Sequence, residues 1–278
     1  MNVSIYEVGP RDGLQSLEHV VPVGQRRLLI QMLYGAGLDD IEEVSFAHPK
    51  VLPQMADAEK VFTGRGSALV MNGRGMERAK ASGAEAVNIV FSPCETFNML
   101  NLKGQRSELV LRYRTFMDVP TEHVRVYLSM AFGSPYSGVP SEKTMRSCLR
   151  DAKMFGDTVV FADTVGAGTI AEVKRFAEMA EEEGLTPALH LHHKGDESRP
   201  LSLVRAGLFA GIKQFDASIG GLGGCPFAQG SGANLSTSTL VRHLHAWGFK
   251  TCVDTGLLRE AEAFARSISR PADAPLFC

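Results

Sequence analysis

Eight short, apolar, β-branched runs recur along the chain, and most of the gaps between them carry a helical pattern. The runs span 3–9, 41–46, 67–72, 86–91, 124–132, 158–163, 188–193 and 215–220. In residues 25–36, Leu28, Leu29, Met32 and Leu33 fall on one helical stripe. In 170–183, Val173, Phe176, Ala177 and Ala180 do the same, leaving Glu172, Lys174, Arg175 and Glu178 on the opposite face. Gly37, Gly83, Gly156, Gly184 and Gly211 each follow a helical pattern and precede a run, where a residue ending a helix at φ > 0 belongs. Alternation of this kind builds parallel sheets from strand–helix units. The 278 residues give a repeat of roughly 35, near that of a (β/α)8 barrel of about 250 residues. The expected architecture is therefore α/β, a (β/α)8 TIM barrel forming one catalytic domain over 1–278. A doubly wound open sheet alternates in the same way, but no GxGxxG turn follows the first run. The chemically capable side chains also gather at the C-terminal ends of several runs, which converge on one mouth only in a barrel.

Composition narrows the partners. Hydrophobic residues at 44% and charged residues at 22% describe a globular chain and exclude a disordered one. With 29 basic against 31 acidic side chains, the formal charge of −2 gives no reason to expect nucleic acid or an anionic membrane as partner. No apolar run approaches the roughly 20 residues that cross a bilayer, and the first residues lack a charged leader with an apolar core. The five cysteines, at 94, 148, 225, 252 and 278, are odd in number and scattered, so they form no disulfide framework. Unpaired thiols point to a reducing, cytoplasmic location. Cys148 and Cys252 are expected to be buried as small hydrophobes.

Three clusters carry the chemistry. Arg11 and Asp12 follow the first run, bracketed by Pro10 and Gly13, which force a turn and set a cation beside a carboxylate. Taken alone, such a pair is as well read as a surface ion pair. His190 and His192 alternate on a strand, so both imidazoles face the same way, and His193 faces the other. Inside a barrel, near its mouth, the first two offer two neutral nitrogens to a divalent metal. Asp12 can add an oxygen, and an amide from a later loop another; this donor set suits Mg²⁺ or Mn²⁺, with zinc and cobalt open on donor type. The third cluster is the loop 220–234, with six glycines in 15 residues and a single cysteine, Cys225, followed by Pro226. A cysteine there is not placed for packing and reads as a proton donor or nucleophile. Glu42 and Ser45 close the second run, where Glu42 can orient Arg11 or the metal. Asp163 closes the sixth, and is equally placed to cap the helix starting near Thr169.

EVGPRDGLQ, IEEVSFAHPKVLPQMAD, the HLH strand and DASIGGLGGCPFAQGSGANL closely resemble the 3-hydroxy-3-methylglutaryl-CoA lyase family, with similarity from Val3 to about Leu257. The GGLGGCP loop is the most specific element, since the related isopropylmalate and homocitrate synthases carry a different loop there. The resemblance implies Asp12, His190, His192 and Asn234 as metal ligands, and Arg11, positioned by Glu42, as the group that stabilises an enolate oxygen. It implies Cys225 as the catalytic loop cysteine, Asp163 as an active-site carboxylate and Tyr136 as a substrate-pocket tyrosine. The activity it implies is divalent-metal-dependent cleavage of an acyl-CoA, 3-hydroxy-3-methylglutaryl-CoA or a close 3-hydroxyacyl analogue, to acetyl-CoA and a 3-oxo acid. A homodimer is common among such relatives. Met99 and Leu100 stand where lysines are common in the family, His193-Lys194 follow the HLH strand, and Ser238 replaces an acidic residue. These departures leave room for a larger or different 3-substituent. The alternatives are an acyl-CoA/2-oxo acid condensing synthase or aldolase on the same barrel, and a catalytically silent barrel acting as a binding protein.

Overall fold

The structure, a computed structural model, describes residues 3–224 and 232–270. Eight parallel strands follow one another around a closed sheet: β1 (Ser4–Glu7), β2 (Asp40–Ser45), β3 (Ser67–Leu69), β4 (Ala86–Phe91), β5 (Val124–Leu128), β6 (Thr158–Asp163), β7 (Thr186–His193) and β8 (Gln214–Ala217). Pairing of β1 with β8, and of β6 with β7, leaves no open edge. Around them lie α1 (Val23–Gly35), α2 (Ala58–Val61), α3 (Gly73–Ala81), α4 (Glu95–Leu102), α5 (Arg106–Arg114), α6 (Glu142–Lys153), α7 (Ile170–Glu182), α8 (Ser198–Phe209), α9 (Thr237–Ala246) and α10 (Thr255–Ile268). The expected TIM barrel is thus the fold, and the open-sheet rival is excluded by closure. Among the described residues no helix is long and apolar enough to cross a membrane.

The period of two along each strand divides the molecule into two interiors. Val124, Val126 and Leu128 of β5, Val159 and Phe161 of β6, and Leu189 and Leu191 of β7 face the helices and build the main apolar core. Phe161 stacks on Phe176 of α7 at 5.4 Å. The alternate residues face the barrel axis, and many are polar: Tyr6, Glu42, Ser67, Asn88, Arg125, Tyr127, His190 and Asp216, all buried. Helix starts follow local chemistry. Asn72, Ser141 and Thr169 each accept a backbone N–H from the first turn of α3, α6 and α7, and Glu172 completes a capping box with Thr169.

Several expectations need correction. The run 124–132 stops being a strand at Leu128, because the chain turns over the mouth, with Met130 at φ +60°. The run 215–220 ends at Ala217 and gives way to a short turn over Ile219–Gly221. On α1, Leu28 is 45% exposed, while Arg26, Leu29, Ile30 and Leu33 are buried. A buried arginine displaces the stripe because Arg26 Nη1 finds Asp57 at 2.8 Å and the Gln54 carbonyl at 3.0 Å beneath the helix. Gly37, Gly83, Gly184 and Gly211 adopt positive φ as expected, but Gly156 does not. Its need is close approach, since a Cβ there would sit 2.3 Å from the Val124 carbonyl oxygen. Cys252 is exposed, whereas Cys148 is buried.

One buried carboxylate ties three segments together. Glu7, at the end of β1, accepts hydrogen bonds from Gly9 N (2.7 Å), Ile219 N (2.8 Å) and Thr237 Oγ1 (2.6 Å), and has no exposure. Burial outweighs those donors and pushes its pKa from 4.5 up to about 7. Between those values the folded chain holds a proton that the unfolded chain has released. Stability from this group is therefore full below about pH 4.5 and lost as pH rises towards 7. At 1.36 kcal/mol per unit the loss is at most roughly 3 kcal/mol. Glu7→Gln should flatten that part of the stability–pH profile, read from urea midpoints between pH 5 and 8. An unchanged profile in the variant would assign the pH dependence elsewhere.

Candidate metal centre and active-site cavity

A cavity of about 250 Å³ opens at the C-terminal ends of the strands. Its polar residues include Arg11, Asp12, Ser45, Tyr127, His190 and His192. The volume falls just below the roughly 300–1,000 Å³ of sites that swallow a whole drug-sized ligand, so it suits the reacting end of a larger molecule.

Arg11 and Asp12 reach it through a single turn of π-helix over Gly9–Gly13, in which the N–H groups of Arg11, Asp12 and Gly13 all point at the Val8 carbonyl. Such turns are rare and favour functional sites. Arg11 Nη1 pairs with Asp12 Oδ1 at 2.7 Å, and its Nε and Nη2 bond Glu42 Oε2. Burial opposes the guanidinium charge, but the carboxylates of Glu42 and Asp12 outweigh it, and the Arg11 pKa is held above its ordinary value. Asp12, conversely, is kept ionised: burial disfavours its charge, yet Arg11 and the histidines hold its pKa below the usual range. Glu42 Oε1 accepts from Asn88 Nδ2 at 2.6 Å. Burial raises the Glu42 pKa, against the pull of Arg11.

A β-bulge places Glu42 and Ser45 on the same side. The register of β2 against β3 shifts between Glu42 and Val44, so Glu43 turns outward, where Tyr34, Thr63 and Gly66 bond it, and Ser45 reaches the cavity. Bulges re-aim side chains in this way beside active sites. Period two without the bulge would have sent Ser45 to the helices.

His190 and His192 face the axis as their spacing predicts. His190 Nδ1 lies 3.2 Å from Asp216 Oδ2, and His192 Nδ1 lies 3.0 Å from the Thr164 carbonyl oxygen. Both acceptors call for a proton on Nδ1, which leaves a lone pair on each Nε2. Those two Nε2 atoms face each other at 3.0 Å, with Asp12 beside them; the donor atoms of Asp12, His190 and His192 lie within 4.8 Å of one another. Burial, then His190, lowers the His192 pKa from 6.5 to about 4, so its ring is neutral near pH 7. Two converging lone pairs and a carboxylate form a nest of acceptors that a cation satisfies. A divalent metal fits these residues.

Asn234 arrives by a different route. The two-residue strand β9 (Ala233–Asn234) pairs antiparallel with β7 and sets Asn234 opposite His192. Its Nδ2 donates to Asp12 Oδ2 (2.7 Å) and to the Leu222 carbonyl (2.9 Å), and its side chain also reaches His192. Gly223, at φ +103°, passes so close that a Cβ would lie 2.6 Å from Asn234 Nδ2 and 2.9 Å from the Asp12 carbonyl oxygen. Gly223, where the glycine-rich loop begins, thus packs directly on the centre. Cys225 lies outside the described residues.

Two expected residues sit elsewhere. Asp163 faces the helix layer, where its carboxylate accepts Ala167 N (2.7 Å) and Gly168 N (2.9 Å) and shapes the turn into α7. It lines no part of the cavity, and the capping role is the one its contacts perform. Tyr136 is 40% exposed on the rim and does not line the cavity; the tyrosine that does is Tyr127. The sequence reading also missed Asp216 and Arg125. Asp216, fully buried, accepts from Arg125 Nη2 (2.8 Å) and Tyr127 Oη (2.7 Å) as well as facing His190. Burial works against its charge, but Arg125 wins and holds its pKa low. The signal was present: Arg125, Tyr127 and Asp216 are polar residues in mid-run, at positions of one parity.

Comparison with known proteins now bears on this centre. The HMGL-like family model matches residues 2–265. The chain belongs to the HMGL-like family. It is 34% identical over 97% of its length to the mitochondrial hydroxymethylglutaryl-CoA lyase of Arabidopsis thaliana, spanning 60% of that protein. It is 33% identical over 93% of its length to the 3-hydroxy-3-isohexenylglutaryl-CoA/hydroxymethylglutaryl-CoA lyase of Pseudomonas aeruginosa, spanning 90% of it. An HMG-CoA lyase from Acinetobacter baumannii, solved with coenzyme A and 3-methylmalate, superposes with a TM-score of 0.89 at 28% identity, covering 96% of this chain and 91% of that one. As an HMGL-like protein the chain is a lyase, and the silent-barrel alternative falls away.

Asp216 meets His190 at Nδ1, on the side of the ring away from the converging Nε2 atoms. Asp216→Asn should weaken Mn²⁺ binding by about 10- to 100-fold, the usual cost of losing such a partner. Titration calorimetry on variant shown by circular dichroism to be folded gives the constant. Unchanged affinity would show that the ring is oriented by its packing alone.

Proposed function

We propose that this HMGL-like protein cleaves 3-hydroxy-3-methylglutaryl-CoA, or a close 3-hydroxyacyl-CoA analogue, to acetyl-CoA and a 3-oxo acid. The observation that carries the reading is the buried nest of Asp12, His190 and His192 beside a guanidinium, Arg11, in one cavity. Asp12, His190 and His192, with Asn234, would hold a divalent ion, Mg²⁺ or Mn²⁺, which would supply Lewis acidity towards the tertiary hydroxyl. The coenzyme A body lies outside the cavity, and only the acyl end enters.

The residues divide the work. The hydroxyl proton passes to the carboxylate of Asp12, which keeps one oxygen when the other is given to an ion; the C2–C3 bond breaks, and its electron pair becomes the enolate of the departing thioester. The hydroxyl carbon is left as the ketone of the 3-oxo acid. Arg11 meets the negative charge that develops on the thioester oxygen; its support is that Glu42 and Asp12 hold the guanidinium in place, so little reorganisation is needed at the moment of reaction. Glu42 positions Arg11 and touches no reacting atom. Cys225 delivers the proton that converts the enolate carbon to the methyl of acetyl-CoA, a role resting on its place in the glycine-rich loop. Ser45 contacts the substrate from the bulged end of β2. The reading places the enzyme in the cytoplasm, with support from the free thiols of Cys94, Cys148 and Cys252.

Release of acetyl-CoA from the thioester, with and without added metal, tests the reading. Arg11→Gln should lower kcat by about 10²- to 10³-fold with a much smaller change in KM. Asp12→Ala and Cys225→Ala should each abolish most metal-dependent cleavage. Full activity in both variants would refute the mechanism.

A further inference from the structure

One polar group of the thioester has no partner in the reading above. The hydroxyl goes to the nest and the thioester oxygen to Arg11, which leaves the terminal carboxylate of the glutaryl chain. A carboxylate offers acceptors only, so it needs donors whose protons are not already taken. Two carbon–carbon bonds of roughly 1.5 Å separate it from the hydroxyl carbon, and its donors must therefore border the nest.

Two hydroxyl groups lining the cavity, those of Ser129 and Thr164, stand side by side there. Thr164 follows β6 by one residue, and its carbonyl oxygen meets His192 Nδ1 at 3.0 Å. Its Oγ1 accepts the Met130 N–H at 2.9 Å, so the hydroxyl proton is left over, with no acceptor among the described residues. Ser129 follows β5 by one residue and is half-buried, and its Oγ makes no hydrogen bond among the described residues. One clamped peptide group brings the pair together. The amide that Thr164 accepts joins Ser129 to Met130, and the carbonyl of the same peptide accepts Ser92 Oγ at 2.6 Å. Met130 is held at φ +60°, a conformation that non-glycine residues keep where their surroundings over-determine it, as at ligand clamps.

The other candidates in the cavity are placed differently. Tyr127 Oη donates to Asp216 at 2.7 Å, and Ser45 ends β2, across the barrel from β6. Arg11 is engaged by two carboxylates. Lys103, the second cation of the lining, is exposed at the rim with Nζ on the Leu100 carbonyl at 2.8 Å.

We propose that Ser129 and Thr164 form a carboxylate subsite, each donating its hydroxyl proton to the terminal carboxylate of the acyl chain. The acyl chain then crosses the nest from Arg11, at the end of β1, to this pair at the ends of β5 and β6. Both residues bind substrate and take no part in breaking the C2–C3 bond. They select 3-hydroxyacyl thioesters that end in an acid, because hydrogen bonds to a charged acceptor are the strong kind. The inference rests on the lyase reading and names two specificity residues of the same site.

The test compares 3-hydroxy-3-methylglutaryl-CoA with its terminal carboxamide, as acetyl-CoA release by the Mn²⁺-loaded full-length chain. Where the amide is bound but not cleaved, its inhibition constant replaces its kcat/KM. The unsubstituted protein should prefer the acid, and Ser129→Ala and Thr164→Val should each lower the acid-to-amide ratio about tenfold or more. Ser129→Ala leaves every hydrogen bond of the clamp in place, and Thr164→Ser, which keeps the hydroxyl, should restore the ratio lost in Thr164→Val. Equal slowing of both thioesters by Ser129→Ala and Thr164→Val would reduce the pair to a structural role and overturn the inference. An unchanged ratio in those two variants, with a fall in Lys103→Gln, would overturn it by giving the carboxylate to the rim. Either result leaves the lyase reading standing. Acetyl-CoA release from neither thioester would remove that reading and this inference with it.

Discussion

The interior of this barrel is organised around a charge that water never reaches. The Asp216 side chain has no exposure, and a lone carboxylate in such a place would cost several kcal/mol or take up a proton. Arg125 from β5, on the far side of the axis, keeps it ionised at 2.8 Å and itself lies over the Tyr6 ring, 3.5 Å from the centroid. With its charge secured, Asp216 can hold His190 Nδ1 and Tyr127 Oη. The line from Arg125 through Asp216 to His190 therefore joins the floor of the barrel to the nest at its mouth. A cluster of lone pairs is stable there only because the groups behind it have their orientation decided in advance.

A second polar line runs on the other side. Asn88 bridges Glu42 and Tyr6, Glu42 holds Arg11, and Arg11 holds Asp12. Buried polar groups tolerate few loose ends, so each line is nearly saturated internally. The two lines meet at the mouth, where the Nε2 atoms of His190 and His192 converge beside the Asp12 carboxylate and a cation fits.

Legibility in the sequence varied with the range of the interaction. The strand–helix repeat, the HLH pair and the turn around Arg11-Asp12 were readable because each depends on spacing within a few residues. Glu42 was readable as a partner of Arg11, and Asn234 as a ligand candidate only through family resemblance. Asp163 and Tyr136 entered as pocket residues only through family resemblance; strand parity turns Asp163 to the helix layer, the capping place its position equally allowed, and the loop leaves Tyr136 at the rim. Ser45 reached the cavity against simple parity, because a bulge resets the count. Asp216 and Arg125 went unnoticed because their meaning lies in each other, 91 residues apart.

Periodicity decided the class. Hydrophobic spacing of two and of about 3.6 is a local property that sets eight strand–helix units in order, while closure of the sheet into a barrel rests on β1 pairing with β8 and β6 with β7. The chemical inventory of the mouth was also settled by the chain order, since each motif ends a strand and all strand ends meet. What the tertiary structure alone decided is which of those side chains share a dry space and which atoms they turn towards it. That choice depends on closure: only when β8 meets β1 and β7 does Asp216 come behind His190, and only when β9 folds back on β7 does Asn234 reach Asp12. Contacts between residues so distant in the chain have no local spacing to announce them; they exist because burial removes water and leaves each polar group only the partners that closure brings across the barrel.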